Sequence, residues 1–233
     1  MNKCVDLNAD LGEGGPADEA LLALVTSANV ACGAHAGDAA VMLRTLELAA
    51  KLGVRVGAHP GHADRPNFGR VEIPMLASEV SRLVNGQVVA LLDAAERAGV
   101  AVTHLKPHGA LYHQASRDDA FGDPVVEVCE RFELTLVGLP GSRLQQLAEG
   151  RCPFVAEGFA DRAYQADGSL VPRSSPGAFV HDPAEAVLQV ERLLREQCVG
   201  TICVHGDNPH ALEFVRAVRT ALLAGGFKIQ AFA

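Results

Sequence analysis

The sequence has no tryptophan, and phenylalanine and tyrosine bring its aromatic share to only 5%. Base-stacking nucleic-acid modules need exposed aromatics, so this scarcity argues against them. Positive charge is short as well. Twenty lysines and arginines stand against 28 aspartates and glutamates, for a formal net charge of −8. A phosphate backbone asks for a basic face that this balance does not supply. No apolar run approaches the ~20 residues needed to cross a bilayer. Met1-Asn2-Lys3-Cys4 carries no signal-peptide pattern, so the expected location is the cytoplasm. The six cysteines (Cys4, Cys32, Cys129, Cys152, Cys198, Cys203) include no CxxC pair. Reduced, mostly buried thiols are expected, not a zinc-thiolate site.

Several signatures are missing too. There is no GxxxxGK(S/T) phosphate loop and no GxGxxG fingerprint, so the chain carries no familiar nucleotide cradle. There is no GxSxG elbow and no HExxH. Nucleophilic serine catalysis is disfavoured, and general acid–base chemistry, with or without a metal, fits better.

What is present is a repeated unit: a short apolar run, a polar or Gly-rich turn, then a helical pattern. Strands are expected at Cys4–Asn8, Ser27–Cys32, Arg55–Ala58, Ala101–Leu105, Thr135–Leu139, Phe154–Gly158 and Thr201–Val204, with a weak eighth at Lys228–Phe232. These runs read as apolar almost throughout, as in parallel strands covered on both faces. With 48% hydrophobic residues and few aromatics, the core is expected to be Ala, Val and Leu. Long helices are expected over Asp38–Leu52, Ser78–Ala98, Asp182–Gln197 and from Asn208-Pro209 to Gly225-Gly226. Shorter ones are expected at Asp18–Leu24, Asp119–Phe132 and Ser142–Leu147. Alternating strands and helices imply a parallel sheet with right-handed crossovers. Seven or eight units fit an α/β barrel, with an open doubly wound sheet as the alternative. No linker divides residues 1–233, so one domain is expected. Pro60–Pro74 and Ala160–His181 are long irregular stretches, which in compact domains are usually functional.

In parallel α/β folds the active site gathers at the C-terminal strand ends. Following each strand are Asn8–Gly14, Gly33–Asp38, His59–His62, Lys106–His113, Phe159–Tyr164 and His205–Asn208; only Pro140-Gly141 lacks ionisable groups. Seven of the nine histidines (His35, His59, His62, His104, His108, His113, His205) lie in or just after strand ends. Lys106 is the one lysine of the four at such a place. Converging polar groups are costly to bury without a purpose. Asp182 reads as a helix cap, and Asp38 and Asn208 read equally as caps or as ligand contacts. His104 reads as a core histidine, His62 and His113 as candidate solvated loop residues, and His181 and His210 as surface groups.

Six segments carry a family likeness: Asp6-Leu7-Asn8-Ala9-Asp10-Leu11-Gly12-Glu13, Thr26–Gly33 with His35-Ala36-Gly37-Asp38, Gly57-Ala58-His59-Pro60-Gly61, Lys106-Pro107-His108-Gly109-Ala110-Leu111-Tyr112, Phe159–Tyr164 with Leu170–Arg173, and His205–Pro209. Together, and across essentially the whole chain, they resemble the LamB/YcsF family, the A subunits of bacterial ATP-dependent 5-oxoprolinases. Ala34, Ala39 and His62-Ala63-Asp64 depart from the usual pattern but remove no acid, base or lysine.

The resemblance implies a seven-stranded barrel related to the deacetylases. It also implies cleavage of 5-oxo-L-proline (pyroglutamate), a cyclic amide, to L-glutamate with hydrolysis of ATP to ADP and phosphate. It further implies magnesium with the ATP and two partner subunits, B and C. On that basis Lys106 would be the cation for phosphate or carboxylate, helped by Arg162. Asp10 or Glu13 would be the base and His59 the proton donor. His35, Asp38, His108, His205 and Asn208 would hold substrate or phosphate. Two alternatives remain. One is a metal-dependent amidohydrolase or deacetylase with Asp10, His35 and His59 on an ion. The other is a non-catalytic ligand-binding subunit.

Overall fold

The computed structural model describes residues 4–197, 199–205 and 210–232. Seven parallel strands close into a barrel: β1 (Cys4–Leu11), β2 (Ser27–Ala31), β3 (Arg55–His59), β4 (Val102–Leu105), β5 (Thr135–Gly138), β6 (Phe154–Phe159) and β7 (Thr201–His205). Each hydrogen-bonds to the next. β1 closes the ring by pairing with both β7 and β2, Asp10 standing level with His205 on one side and Asn29 on the other. The short β8 (Lys228–Ile229) adds to the start of β1 outside the ring.

Helices wrap the barrel: α1 (Asp18–Leu22), α2 (Ala39–Leu52), α3 (Ala77–Ala98), α4 (Gly109–Ala115), α5 (Asp119–Arg131), α6 (Arg143–Ala148), α7 (Pro183–Glu196) and α8 (Ala211–Ala224). α2 shows how they are specified. Asp38 caps it by accepting from the amides of Ala40 and Val41 at 2.9 and 2.8 Å. Met42, Leu46 and Ala49 form its buried stripe, and Gly53 ends it at φ 67°. Burying one such leucine contributes roughly 1.5–3 kcal/mol. Asp182 caps α7 in the same way, through the Ala184 amide at 2.8 Å.

The expected strands and most helices form where the pattern places them, with three differences. β1 does not stop at Asn8 but continues to Leu11, so Asp10 lies on a strand and not in a turn. α4 is an addition. It is buried on nearly all sides (Ala110, Leu111, Tyr112, Gln114, Ala115) and has no polar stripe to betray a period. Finally, the strands are not apolar on both faces. Val5, Leu7, Ala9 and Leu11 of β1 join the main hydrophobic cluster, while the alternate residues Asp6, Asn8 and Asp10 are buried and polar. Ser27 and Asn29 of β2, His104 of β4, Glu157 of β6 and Thr201 of β7 are likewise buried. The lumen is a hydrogen-bonded polar column, so the Ala/Val/Leu core is the layer between barrel and helices.

Candidate active site

The column is built in tiers. At its base the Asp6 carboxylate accepts from the hydroxyls of Thr26 and Ser27 at 2.7 Å and of Thr201 at 2.5 Å. Burial raises its pKa against those three donors. Above it, Asn8 donates to Thr201 at 2.6 Å and to Glu157 Oε1 at 3.2 Å. Asn29 donates to Asn8 Oδ1 and to Asp10 Oδ1, both at 2.8 Å. His104 is fully buried, as the sequence suggests, and its Nε2 lies 3.0 Å from Asn29 Oδ1. Burial, with the Lys106 charge, pushes His104 down to about 3.

At the top Lys106 joins two strands. Its ammonium lies 2.7 Å from Glu157 Oε1, 2.9 Å from Asp10 Oδ1 and 3.1 Å from Cys203 Sγ. Burial opposes that charge, but Asp10 and Glu157 hold Lys106 well above the ordinary lysine value. Burial also opposes ionisation of Asp10, yet His59 and Lys106 beside it keep its carboxyl well below the carboxylate range. Asp10 Oδ2 faces His59 Nε2 at 3.4 Å. Glu157 also accepts from the Tyr112 hydroxyl at 3.2 Å.

Three imidazoles pack beside this group. The His35 and His108 rings stack at 3.8 Å, and His59 meets both edge-on. Glu13 Oε1 lies 3.3 Å from His35 Nε2, 3.3 Å from His108 Nδ1 and 3.9 Å from His59 Nε2. His59 Nδ1 donates to the Lys106 carbonyl at 2.7 Å, and His108 Nε2 donates to the Phe68 carbonyl at 2.9 Å. Phe68 holds a left-handed backbone (φ 56°), strain that its contact with His108 helps to justify. Gly61 and Gly69 let the loop fold over the stack. A Cβ at Gly61 would stand 2.7 Å from His35 Nδ1, and one at Gly69 (φ +63°) 2.8 Å from His35 Cβ. Burial and the neighbouring imidazoles lower His35 to about 3 and hold His108 well below its usual value.

Of these groups Asp10, His59, Lys106, His108 and Tyr112 line a narrow cleft at the strand ends, with Arg70, His113, Phe159, Arg162, Arg173 and His205. The Asp161 carboxylate holds His205 by its ring Nδ1 at 2.9 Å and its backbone amide at 3.1 Å. Burial opposes ionisation of Asp161, but His205 lowers its pKa. Arg162 is 2% exposed and donates to the carbonyls of Val171 and Ala178, pinning the 160–181 loop over the cleft.

The structure therefore brings Asp10, Glu13, His35, His59, Lys106, His108, Arg162 and His205 together. Asp38 stands apart: its side chain is exposed, caps α2 and does not line the cleft. Asn208 lies outside the described residues. Two loop readings change. His62 is fully buried, its Nε2 2.5 Å from Gln114 Oε1, and His113 is half-buried on the cleft wall, where burial lowers it to about 4. His181 and His210 are exposed, as expected. His35 and His59 gather with Glu13 and His108, whereas Asp10 gathers with Cys203 and His205. Sequence reasoning misses Glu157, Asn8, Asn29, Tyr112 and Asp161. A lone acid inside the Phe154–Gly158 run is the available signal, since a buried carboxylate demands a partner.

Residues 5–233 match the model of the LamB/YcsF family. The chain belongs to that family. It is 43% identical to the A subunit of 5-oxoprolinase from Neisseria meningitidis serogroup C, with 98% of this chain and 100% of the relative aligned. The lactam utilization protein from Thermus thermophilus superposes with a TM-score of 0.90 at 38% identity, covering 98% of this chain and 100% of that one. A family 4 carbohydrate esterase from Streptomyces lividans covers 100% of this chain and 94% of its own at a TM-score of 0.57 and 14% identity, which shows the fold alone. The barrel of this chain thus shares its fold with esterases and deacetylases of this kind. Among the described residues no helix is long and apolar enough to cross a membrane.

Proposed function

We propose that this chain is the A subunit of an ATP-dependent 5-oxoprolinase and carries the ring-opening site for 5-oxo-L-proline. Acting with two further subunits, it would yield L-glutamate, ADP and phosphate. The observation that carries this reading is the buried Asp10–Lys106–Glu157 group at the floor of a cleft walled by Arg70, Arg162 and Arg173, in a chain so similar to proteins of that name.

The chemistry fits the ligand. 5-Oxoproline presents one carboxylate and one lactam. The arginine wall suits the carboxylate, and the ionised Asp10 suits the ring N–H. A five-membered lactam is a poor acyl donor, which explains the coupling to ATP. Transfer of the γ-phosphoryl group to the lactam oxygen releases ADP and makes the ring carbon electrophilic. One water then adds, the C–N bond breaks and the ring nitrogen takes a proton. A second water releases phosphate from the resulting acyl phosphate. In this scheme Lys106 offsets charge developing at the lactam, Asp10 or Glu13 takes the proton of water, and His59 returns one to nitrogen. His35, His108, His205 and Asn208 orient the substrate. Magnesium arrives with ATP as part of the co-substrate.

A metal-dependent hydrolysis without ATP is the second reading, favoured by the imidazole cluster around Glu13. One assay separates the two: 5-oxoproline with and without ATP, added to this chain alone, to the partners alone, and to all three. Glutamate formed only by the full set, and only with ATP, is the expected result. Glutamate from this chain alone without ATP would favour the second reading.

A further inference from the structure

We propose that Glu13, His35, His59 and His108 form a binding site for one divalent transition-metal ion of the zinc type. The proposal does not depend on the substrate reading, and in the loaded protein it would take Glu13 and His59 out of the acid–base roles given above, leaving Asp10 as the base.

Four donor atoms from four different strand-end segments converge within 4.8 Å of one another. Glu13 Oε1 lies 3.3 Å from His35 Nε2, 3.3 Å from His108 Nδ1 and 3.9 Å from His59 Nε2. His108 Nδ1 and His59 Nε2 are 3.0 Å apart. A tetrahedral ion with bonds of ~2.0–2.1 Å requires donors roughly 3.3 Å apart. Three imidazoles and a carboxylate are also a donor set that zinc and its neighbours take readily.

The outward hydrogen bonds make the case independently of those spacings. A carbonyl only accepts, so His59 carries its hydrogen on Nδ1, toward Lys106, and His108 carries its own on Nε2, toward Phe68. In neutral rings the two remaining nitrogens then point their lone pairs at each other across 3.0 Å. That arrangement repels unless a proton or a cation lies between them. The Glu13 carboxylate lies beside the same point, 3.3 Å from His108 Nδ1, and supplies an oxygen donor there. An N–H held by a backbone carbonyl behind each metal-facing nitrogen is how ligating histidines are oriented.

The competing group, Asp10, Cys203 and His205, makes no such demand for a cation. The Lys106 ammonium already sits 2.9 Å from Asp10 and 3.1 Å from Cys203. The proposed ion would lie at the cleft wall, since His59 and His108 line the cleft. There it would act as a Lewis acid toward a bound oxygen.

The test uses the full chain, stripped with a chelator, dialysed and titrated calorimetrically with Zn²⁺, with metal content read after gel filtration and the Co²⁺ spectrum recorded in parallel. One equivalent is expected, with cobalt absorption of a nitrogen- and oxygen-ligated site. Glu13→Gln and His108→Gln should each weaken binding tenfold or more. Zn²⁺ should raise the melting temperature of the wild type but not of these variants, and their circular dichroism without metal reports whether they fold. The exposed His181→Ala and His210→Ala should bind like wild type. Absence of stoichiometric binding, a bare proton holding the His59–His108 pair, would overturn the proposal. So would sulfur-to-cobalt charge transfer, which places the ion at Cys203, or wild-type affinity in folded Glu13→Gln and His108→Gln.

Discussion

Glu157 Oε1 stands 2.7 Å from the Lys106 ammonium, nearer than Asp10 at 2.9 Å. The lysine therefore bridges β6 to β1 inside the barrel, with one carboxylate fully buried and the other lining the cleft. It serves the fold and the site at once. Removing the lysine leaves two buried carboxylates without their cation, which costs on the order of 3–5 kcal/mol, whereas removing one carboxylate leaves the ammonium paired with the other.

Lys106→Ala should consequently lower the melting temperature and reduce glutamate formation in the reassembled complex by about a hundredfold or more. Glu157→Gln should destabilise in the same direction while retaining more turnover, because Glu157 is not a cleft-lining residue. Thermal melts and steady-state rates on both variants check this. Equal turnover by folded Lys106→Ala and wild type would remove the lysine from the chemistry.

Asp38 makes a contrasting case. Its two amide contacts account for it as a helix cap. Asp38→Ala should cost about 1 kcal/mol of stability and leave KM and kcat unchanged. A raised KM without loss of stability would return Asp38 to the ligand.

The arginine wall predicts a binding phenotype. Arg173 is half-buried in the cleft lining. A charge-assisted contact to a carboxylate is worth roughly 1.5–3 kcal/mol. Arg173→Ala should raise KM for 5-oxoproline by about ten- to a hundredfold with kcat little changed. A fall in kcat at constant KM would contradict a role in ground-state binding.

His104 gives the pH dependence its sign. Its folded pKa, about 3, lies below the ordinary histidine value. Between those values the unfolded chain binds the extra proton and the folded one does not, so stability rises with pH across that window. The slope from this one group is about 1.4 kcal/mol per pH unit between roughly pH 4 and 6, vanishing above about pH 7. Urea denaturation at a series of pH values should show a shallower rise for His104→Gln. An unchanged slope would mean that His104 is protonated in the folded state.

Much of the barrel is legible because strand runs and helix caps are local signals. Asp10, His35, His59, Lys106 and His205 are legible because they lie at or just after the ends of strands that must end at one face. Glu157 is not, since a lone acid in an apolar run signals only that a partner is needed and does not name it until β4 and β1 bring Lys106 beside it. Asn8 and Asn29 are hidden when β1 is read as ending at Asn8, which puts that residue at a turn and obscures the alternation Asp6, Asn8, Asp10. Asp38 looks ambiguous because caps and ligand contacts occupy the same strand-to-helix junction. The metal grouping is half visible. The sequence pairs His35 and His59 with Asp10; the structure groups both with Glu13 and His108, while Asp10 is held by Lys106 through Oδ1 and of the two meets only His59, at 3.4 Å through Oδ2.

The most direct test of the account is glutamate formation from 5-oxoproline and ATP by the complex reassembled with Asp10→Asn. That change keeps the side-chain shape and removes the charge that Lys106 and His59 hold ionised. A loss of about a hundredfold or more, with the complex still assembled and the chain still folded, is the predicted result. Turnover equal to wild type would show that the ring opens somewhere other than the cleft of this barrel.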